Sequence, residues 1–407
     1  MPRVSDQTLA TVDLLLSWKS REAVHEERFL ARKMNLWRDI LPLGLKHALT
    51  GLGAGESVSV AYAAGEAMPD RQDALVQEVP HRCFTPRIVA GRTVSLRAGR
   101  HYPRGLFGGL PGIFPQDARP ARILDAGDDQ EARYVLDLNH PLAGRPFRLD
   151  ATVLNVAEKK SDTGGRLSDW LEEICCFGPG MQARRGDFSP TDFTPPDGED
   201  RLDNEDDARF YARPRLIGHI DAQASALLSE NYARRIPRGA RVLDLMSSVQ
   251  SHLPLDADLD VTGLGMNMEE LAANPLLSAR VVQDLNRDGM TPFGDAGFDA
   301  VVCSLSVEYL LDPARIVREC ARVLRPGGLL LFGFSNRWFP TKATPLWLDL
   351  HEFERMGLVL EYLLASGDYA DLWTFSARNW WRPVDDPHIR QTWTSDPVYV
   401  VGGRRTS

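Results

Sequence analysis

The side chains best suited to chemistry in this 407-residue chain fall in four short runs, all beyond position 240. The first, Val242-Leu243-Asp244-Leu245-Met246-Ser247-Ser248, is an apolar stretch that holds one acid and is closed by hydroxyl residues. Asp284-Leu285 ends a second. The third is Cys303-Ser304-Leu305-Ser306-Val307-Glu308-Tyr309, and the fourth Asn336-Arg337-Trp338-Phe339-Pro340. Serine hydroxyls donate to anionic groups, carboxylates accept hydrogen bonds or take protons, and an arginine fork grips a carboxylate or phosphate at two points.

These runs sit where strands are expected to end. Arg241–Leu245, Asp260–Leu264, Arg280–Leu285, Phe298–Leu305 and Gly328–Phe334 read as strands with helical stretches between them, an alternation that implies an α/β, doubly wound sheet. In such open sheets, ligands bind outside the carboxyl ends of the strands. A helix is expected over Leu216–Arg235, where Leu216, Ile220, Ala224, Leu227, Leu228 and Tyr232 make one apolar stripe, and another over Trp347–Met356. Trp373–Ala377 and Val398–Gly402 read as an antiparallel closing pair at the sheet edge.

In order and spacing these segments resemble the class I S-adenosylmethionine-dependent methyltransferases, over roughly Arg213 to Gly403. The motifs that carry the resemblance are Val242-Leu243-Asp244-Leu245, the acid Asp284, Phe298-Asp299-Ala300-Val301-Val302 and Ala321-Arg322-Val323-Leu324-Arg325-Pro326-Gly327-Gly328. The resemblance implies a Rossmann-like fold, S-adenosyl-L-methionine as cofactor, and a methyl acceptor that is either a small molecule or a protein or peptide. It implies cofactor contacts at Asp244, Met246, Ser247, Ser248, Asn267, Asp284, Leu285, Ser304 and Ser306. Catalytic or substrate-facing roles fall to Glu308, Tyr309 and Arg337. Asp284 would accept from the adenine amino group while the N–H of Leu285 reaches a ring nitrogen.

Two departures stand out. Met246-Ser247-Ser248 replaces the glycines of the first loop, and Gly265 stands where an acid ordinarily takes the ribose hydroxyls. Asn267 is either a ribose contact or a helix N-cap, with Glu269 an alternative for the ribose. His219 and Asp221 are either cofactor contacts or a helix-surface pair.

Upstream, Thr11–Trp18, Ser57–Ala61, Thr93–Leu96, Ala121–Leu124, Tyr134–Leu138 and Phe147–Val156 read as strands, and Leu41–Leu49 as a short helix. This smaller, mainly β (α+β) region resembles the SlyD-like branch of the FKBP-type prolyl isomerases through Leu41-Pro42-Leu43-Gly44-Leu45, Asp73-Ala74-Leu75-Val76-Gln77-Glu78-Val79-Pro80 and Leu138-Asn139-His140-Pro141-Leu142-Ala143-Gly144. The resemblance places an inserted flap at roughly Phe84–Arg133. It also expects a Gly-containing first turn and a pocket acid, for which Arg21-Glu22-Ala23-Val24-His25-Glu26-Glu27-Arg28 offers no match. Trp37, Phe84, Tyr102 and Phe147 are the aromatic candidates for an isomerase pocket.

The expected organisation is thus an FKBP-like region over 1–160, an acidic connector over 161–212 and a methyltransferase region over 213–407. The chain carries a net charge of −9, with the acid excess concentrated in the connector, and no basic stripe points to nucleic acid. Within the connector, Leu167–Cys176 is helical by spacing and Pro195–Asp207 reads as a solvated loop. Gly178-Pro179-Gly180-Met181-Gln182 is either a wall of the active-site mouth or a packed interdomain turn. Five irregularly spaced cysteines suit neither a disulfide scaffold nor a zinc site, so a reducing compartment and no metal are expected. Without a signal-peptide pattern or an apolar run of about 18 residues, the expectation is a soluble cytoplasmic protein.

Three functions follow: a methyltransferase with an attached, degenerate FKBP-like module; a non-catalytic, chaperone-like binding protein; or an active peptidyl-prolyl cis-trans isomerase with an accessory methyltransferase-like region.

Overall fold

Every second residue of Thr8–Lys19 (β1), from Thr8 to Trp18, is buried, the period-two pattern of a strand with one face against a core. Its partner Val24–Met34 (β2) pairs antiparallel, with Trp18 opposite His25 and Leu14 opposite Phe29. The sequence hides β2 because its polar residues are consumed by specific partners. His25 stacks on Trp18 with ring centroids 3.8 Å apart. Arg28 grips Asp13 through Nε and Nη2. The hairpin needs no glycine, because Ser20 closes it: its N–H donates to Ala23 O, and its Oγ accepts from the Ala23 N–H and pairs with the His25 ring.

The computed structural model describes residues 2–89, 92–127, 133–161, 165–195 and 200–407. It resolves into two units, Met1–Pro196 with Asp349–Gly357, and Asp197–Leu348 with Leu358–Ser407. In the first, α1 (Leu45–Leu49), β3 (Ser57–Tyr62), β4 (Val76–Pro80), β5 (Ile88–Val89), β6 (Arg92–Thr93), β7 (His101–Pro103), β8 (Pro120–Asp125), β9 (Arg133–Asp137), β10 (Phe147–Glu158) and α2 (Trp170–Cys175) follow the first hairpin. The main sheet runs β2-β1-β10-β3, all antiparallel, over a core that includes Leu14, Leu16, Trp18, Tyr62, Phe147 and Trp170. A second sheet, β4-β9-β8-β7, has its own apolar cluster of Val79, Tyr102, Phe107, Ile123 and Leu136. The strand expected at Thr93–Leu96 shrinks to the two-residue β6, which pairs with β5. Part of the expected flap lies outside the described residues.

The four aromatics proposed for an isomerase pocket do not converge. Trp37 is exposed, Phe147 belongs to the main core, and Phe84 and Tyr102 belong to the second cluster. The Gly178–Gln182 run is a packed turn of the first unit. A Cβ on Gly178 would sit 2.2 Å from the Phe353 ring. Gln182 is buried and donates to the buried Glu27 at 2.6 Å.

The second unit comprises α3 (Asp207–Tyr211), α4 (Ala222–Ala233), β11 (Arg241–Leu245), β12 (Asp260–Gly265), α5 (Met268–Ala273), β13 (Leu277–Val282), β14 (Phe298–Ser304), α6 (Pro313–Val323), β15 (Leu324–Phe334), α7 (Pro345–Asp349) up to Leu348, α8 (Glu352–Ser366) from Leu358 onward, β16 (Tyr369–Arg378) and β17 (Val398–Arg405). Its strands lie in the order β13-β12-β11-β14-β15-β17-β16, the first five parallel and β17 antiparallel. The chain leaves β11 toward β12 on one side and reaches β14 on the other, so a crevice opens at the ends of these strands.

Several expected boundaries move. The helix expected from Leu216 starts at Ala222, where Asp221 caps it by accepting from the N–H groups of Gln223 and Ala224. Leu216 and Ile217 are exposed. The third strand ends at Val282, before Asp284, and the helix expected over Trp347–Met356 breaks into α7 and α8. Nor is 195–207 simply solvated: Arg201 and Asp207 are buried and joined by two hydrogen bonds of 3.0 and 2.8 Å. The fully buried Lys342 reaches Asp203 and Asp207 at 3.1 Å each.

Gly180 has φ +98°, and a Cβ there would lie 2.6 Å from Pro141 Cβ. Gly180→Ala combines left-handed backbone strain with a clash, so it should destabilise the protein by roughly 2 kcal/mol or more. Thermal unfolding of the variant beside the parent measures this, with a clear fall in the midpoint expected.

Candidate active site

The carboxyl ends of β11, β12 and β14, the loop after β13 and the segments flanking α3 enclose a cavity of about 240 Å3. Of the residues expected to bind a cofactor, Asp244, Met246, Ser247, Ser248, Asn267, Asp284, Leu285, Ser304 and Ser306 all line it. Tyr309 and Arg337 line it as well. Glu308 does not: it is 1 % exposed and lies behind the wall. Its charge acts indirectly. The Tyr309 phenol is held well above its ordinary pKa by burial, then by Glu308 and Tyr211.

The floor is built from the loop after β11. The Ser247 N–H donates to Leu264 O at 2.8 Å, and its hydroxyl donates to Asp244 Oδ2 at 2.5 Å. Asp244 is 1 % exposed, and burial pushes its carboxyl up to about 6 against the bonds from Ser247 and Ser251. Met246, at the start of the loop, adopts φ 56°, and Leu305 and His252, which also line the cavity, adopt φ 55° and 54°. Left-handed backbone at non-glycine residues costs energy and concentrates at functional sites.

Gly265 has a steric reason to be glycine. A Cβ there would sit 2.1 Å from Ser247 O. The acid that enters the lining on this side is Glu270, in the first turn of α5, which accepts from the Arg215 N–H at 2.7 Å and the Ser248 hydroxyl at 2.6 Å. Glu269, the residue weighed for the ribose, is exposed and does not line the cavity. Asn267 caps α5: its Oδ1 accepts from Glu269 and Glu270, and its Nδ2 donates to Tyr211 O and Ala212 O. Its side chain is therefore saturated.

Asp284 and Leu285 differ in this respect. Asp284 Oδ1 accepts from the Asn286 N–H at 2.9 Å. Its Oδ2 and the Leu285 N–H have no protein partner among the described residues.

The opposite wall was largely illegible in the sequence. Asp207, Tyr211 and Arg215 come from the end of the acidic connector and the stretch after it, and His219 follows. Arg215 lies over Phe210 and Phe339, 4.3 and 5.0 Å from their centroids. Tyr309 Oη accepts from the Phe339 N–H at 2.8 Å. Burial lowers the pKa of His219; the charges of Arg215 and Arg337 add to that effect, against the opposing pull of Glu270. His252 is pushed down to about 4 by burial and His219, with its Nδ1 2.8 Å from Ser225 Oγ. Asp221, paired with His219 in the sequence reading, does not line the cavity; it is buried with Ser395, Asp396 and Arg382. Of the missed residues, Glu270 had a usable signal: it stands three residues after the capping Asn267, at capping-box spacing.

Residues 248–332 match the family model described as a methyltransferase domain. The matched stretch lies within the second unit. Over 83 residues, 20 % of this chain, it is 49 % identical to a probable S-adenosylmethionine-dependent methyltransferase of Mycobacterium tuberculosis, covering 30 % of that protein. Over 131 residues, 30 % of this chain, it is 29 % identical to the ubiquinone biosynthesis O-methyltransferase of Pectobacterium atrosepticum, covering 50 % of it. The chain thus spans half or less of the length of these relatives. A solved S-adenosylmethionine-dependent methyltransferase from Aquifex aeolicus aligns with 49 % of this chain and 97 % of its own at 13 % identity and a TM-score of 0.31. Among the described residues no helix is long and apolar enough to cross a membrane, and no group of three ligating side chains is placed to hold a metal.

The raised pKa of Asp244 has a defined sign. An acid that titrates near 6 when folded and near 3.8 when unfolded binds more protons in the folded state between those values, so its effect on stability worsens as pH rises through that window. Asp244→Asn should therefore gain stability over the parent between pH 4 and pH 6, by up to about 3 kcal/mol, and hold the gain above pH 6. Urea unfolding of both proteins at pH 4.5 and 7.5 tests this. Equal differences at the two pH values would contradict it.

Proposed function

We propose that the second unit is an S-adenosyl-L-methionine-dependent methyltransferase. The observation that carries this reading is the pairing of an open acceptor, Asp284 Oδ2, with an open donor, the Leu285 N–H, on consecutive residues of the cavity wall. An acceptor beside a donor matches the amino group and neighbouring ring nitrogen of an adenine. When bound, the cofactor supplies an electrophilic methyl group.

The chain's own residues then have separable tasks. Ser247, Ser248 and Asp244 form the polar floor, and Ser304 and Ser306 the wall beside it. No acid stands at position 265, and Glu270 is the acid on that side of the lining. Tyr309, Phe339 and Tyr211 exclude water from the mouth and restrict how an acceptor can lie, and such positioning supplies much of the rate in a two-reactant transfer. His219 is neutral at pH 7, so it is available to take a proton from an acceptor hydroxyl, amine or thiol. The name of the Pectobacterium relative supports oxygen as the methylated atom.

The first unit reads as a SlyD-like, FKBP-type module with little isomerase activity. Its motif residues support this, and so does the small sheet β4-β9-β8-β7 with its own core, whose strands fall in the chain between β3 and β10 of the main sheet. Its aromatic side chains are scattered between two cores rather than lining one apolar pocket.

Asp284→Ala should weaken binding of S-adenosylhomocysteine roughly tenfold to hundredfold, the effect of losing a contact worth about 1–3 kcal/mol. The melting temperature of the unliganded protein should barely change. Calorimetric titration and thermal melting on the same preparation decide the matter: unchanged affinity with a lowered melting temperature would reduce Asp284 to a cap of its own turn.

A further inference from the structure

Asp244, Glu270 and Asp284 belong to the strand-end wall of this cavity, whereas Arg215 and Arg337 line it together with Asp207, whose carboxylate is already paired with Arg201 and Lys342. Neither arginine has a carboxylate partner among the described residues. The guanidinium of Arg215 donates only to Phe210 O, at 3.2 Å from each terminal nitrogen. Exposed Arg337 has its Nη2 3.3 Å from His388 Nε2. Two cations without a carboxylate partner on the lining of one cavity favour a ligand that supplies the missing charge. Both charges also bear on His219, whose pKa each of them lowers.

Arg215 lies 5.0 Å from the centroid of Phe339, the centre of an aromatic platform. Phe339, two residues beyond Arg337, is ringed by Phe210 at 5.4 Å, His219 at 5.7 Å and Tyr309 at 6.0 Å between centroids. A flat ring gains stacking and edge contacts there, and an oxyanion on that ring reaches cations that are otherwise unpaired. A cationic acceptor would meet two like charges instead.

We propose that the methyl acceptor is an aromatic ring bearing an anionic oxygen group, a carboxylate or a phosphate, recognised by Arg337 and Arg215 beside Phe339. This rests on the methyltransferase reading for the word acceptor, but the anion site itself stands on the geometry alone. The platform also explains why the residues after β15 are aromatic and basic rather than the small polar residues of an ordinary turn.

The 407-residue chain is titrated calorimetrically with benzoate, phenyl phosphate and benzylamine, each with and without saturating S-adenosylhomocysteine. At least one of the two anions should bind, benzylamine should not, and the preferred anion identifies the oxyanion class. Arg337→Met should weaken the preferred anion about tenfold or more, with Arg337→Lys falling between, as expected for loss of a charged, two-point contact. Because Arg337 is exposed, both variants should melt with the parent. Benzylamine binding as tightly as the anions, no heat from either anion, or an Arg337→Met variant with unchanged affinity would each overturn the proposal. Absence of heat with S-adenosylhomocysteine alone would instead count against the methyltransferase reading, and the anion titrations without it would still decide this one.

Discussion

The cavity depends on one close backbone approach, between the loop leaving β11 and the end of β12. Ser247 is tied to Leu264 O at 2.8 Å, and a side chain on Gly265 would have to occupy the space of Ser247 O. A carbonyl fixed by its own strand cannot yield as a flexible side chain can, so position 265 excludes every residue but glycine. The acid expected there is displaced to α5, where Glu270 is immobilised by the Arg215 N–H and the Ser248 hydroxyl. The same approach requires the chain to turn sharply at Met246, which it does in the left-handed region at a cost of about 1–2 kcal/mol. Glycine would avoid that cost; here the tertiary packing bears it.

A second set of bonds holds the other wall in place. Asp207 receives two bonds from Arg201, one from Asn286 and the charge of Lys342, all with little exposure to water. Removing one partner from such a cluster strands the remaining charges, which costs more than the pair itself contributes. The stretch that carries Tyr211 and Arg215 is therefore anchored at its base by ionic contacts and at its tip by stacking on Phe210 and Phe339. A cavity wall made this way owes its rigidity to charge pairing rather than to a regular helix, since α3 is only five residues long.

How legible this was in the sequence depended on the kind of signal. Strands β11, β12, β14 and β15 were readable because buried parallel strands are short apolar runs. Asp244 and Met246 to Ser248, at the end of the β11 run, and Asp284-Leu285, just past β13, come to line the cavity because it lies at the ends of these strands. β2 was hidden because His25, Glu27 and Arg28 look solvated until Trp18, Gln182 and Asp13 are placed against them. Glu308 was misjudged because sequence proximity to Tyr309 does not say which of two consecutive side chains faces the cavity. The basic and aromatic wall was split between residues 207–219 and 337–339, and no local pattern joins segments so far apart.

Residues Asp349–Gly357 group with the first unit, though they lie beyond most of the second. Arg100, 1 % exposed, bonds to Asp349 Oδ2 at 2.7 Å across 249 positions of chain, and the His101 N–H donates to Glu354 Oε1 at 2.7 Å. Synthesis proceeds at about 5–20 residues per second, so these carboxylates leave the ribosome roughly 12–50 s after the groups they neutralise. Until then the nascent first unit holds a buried cation site without its counter-charge, while Asp197–Leu348 is still being made. The two halves of the polypeptide therefore mature in an interleaved order, and the unit that begins first is the one that must wait.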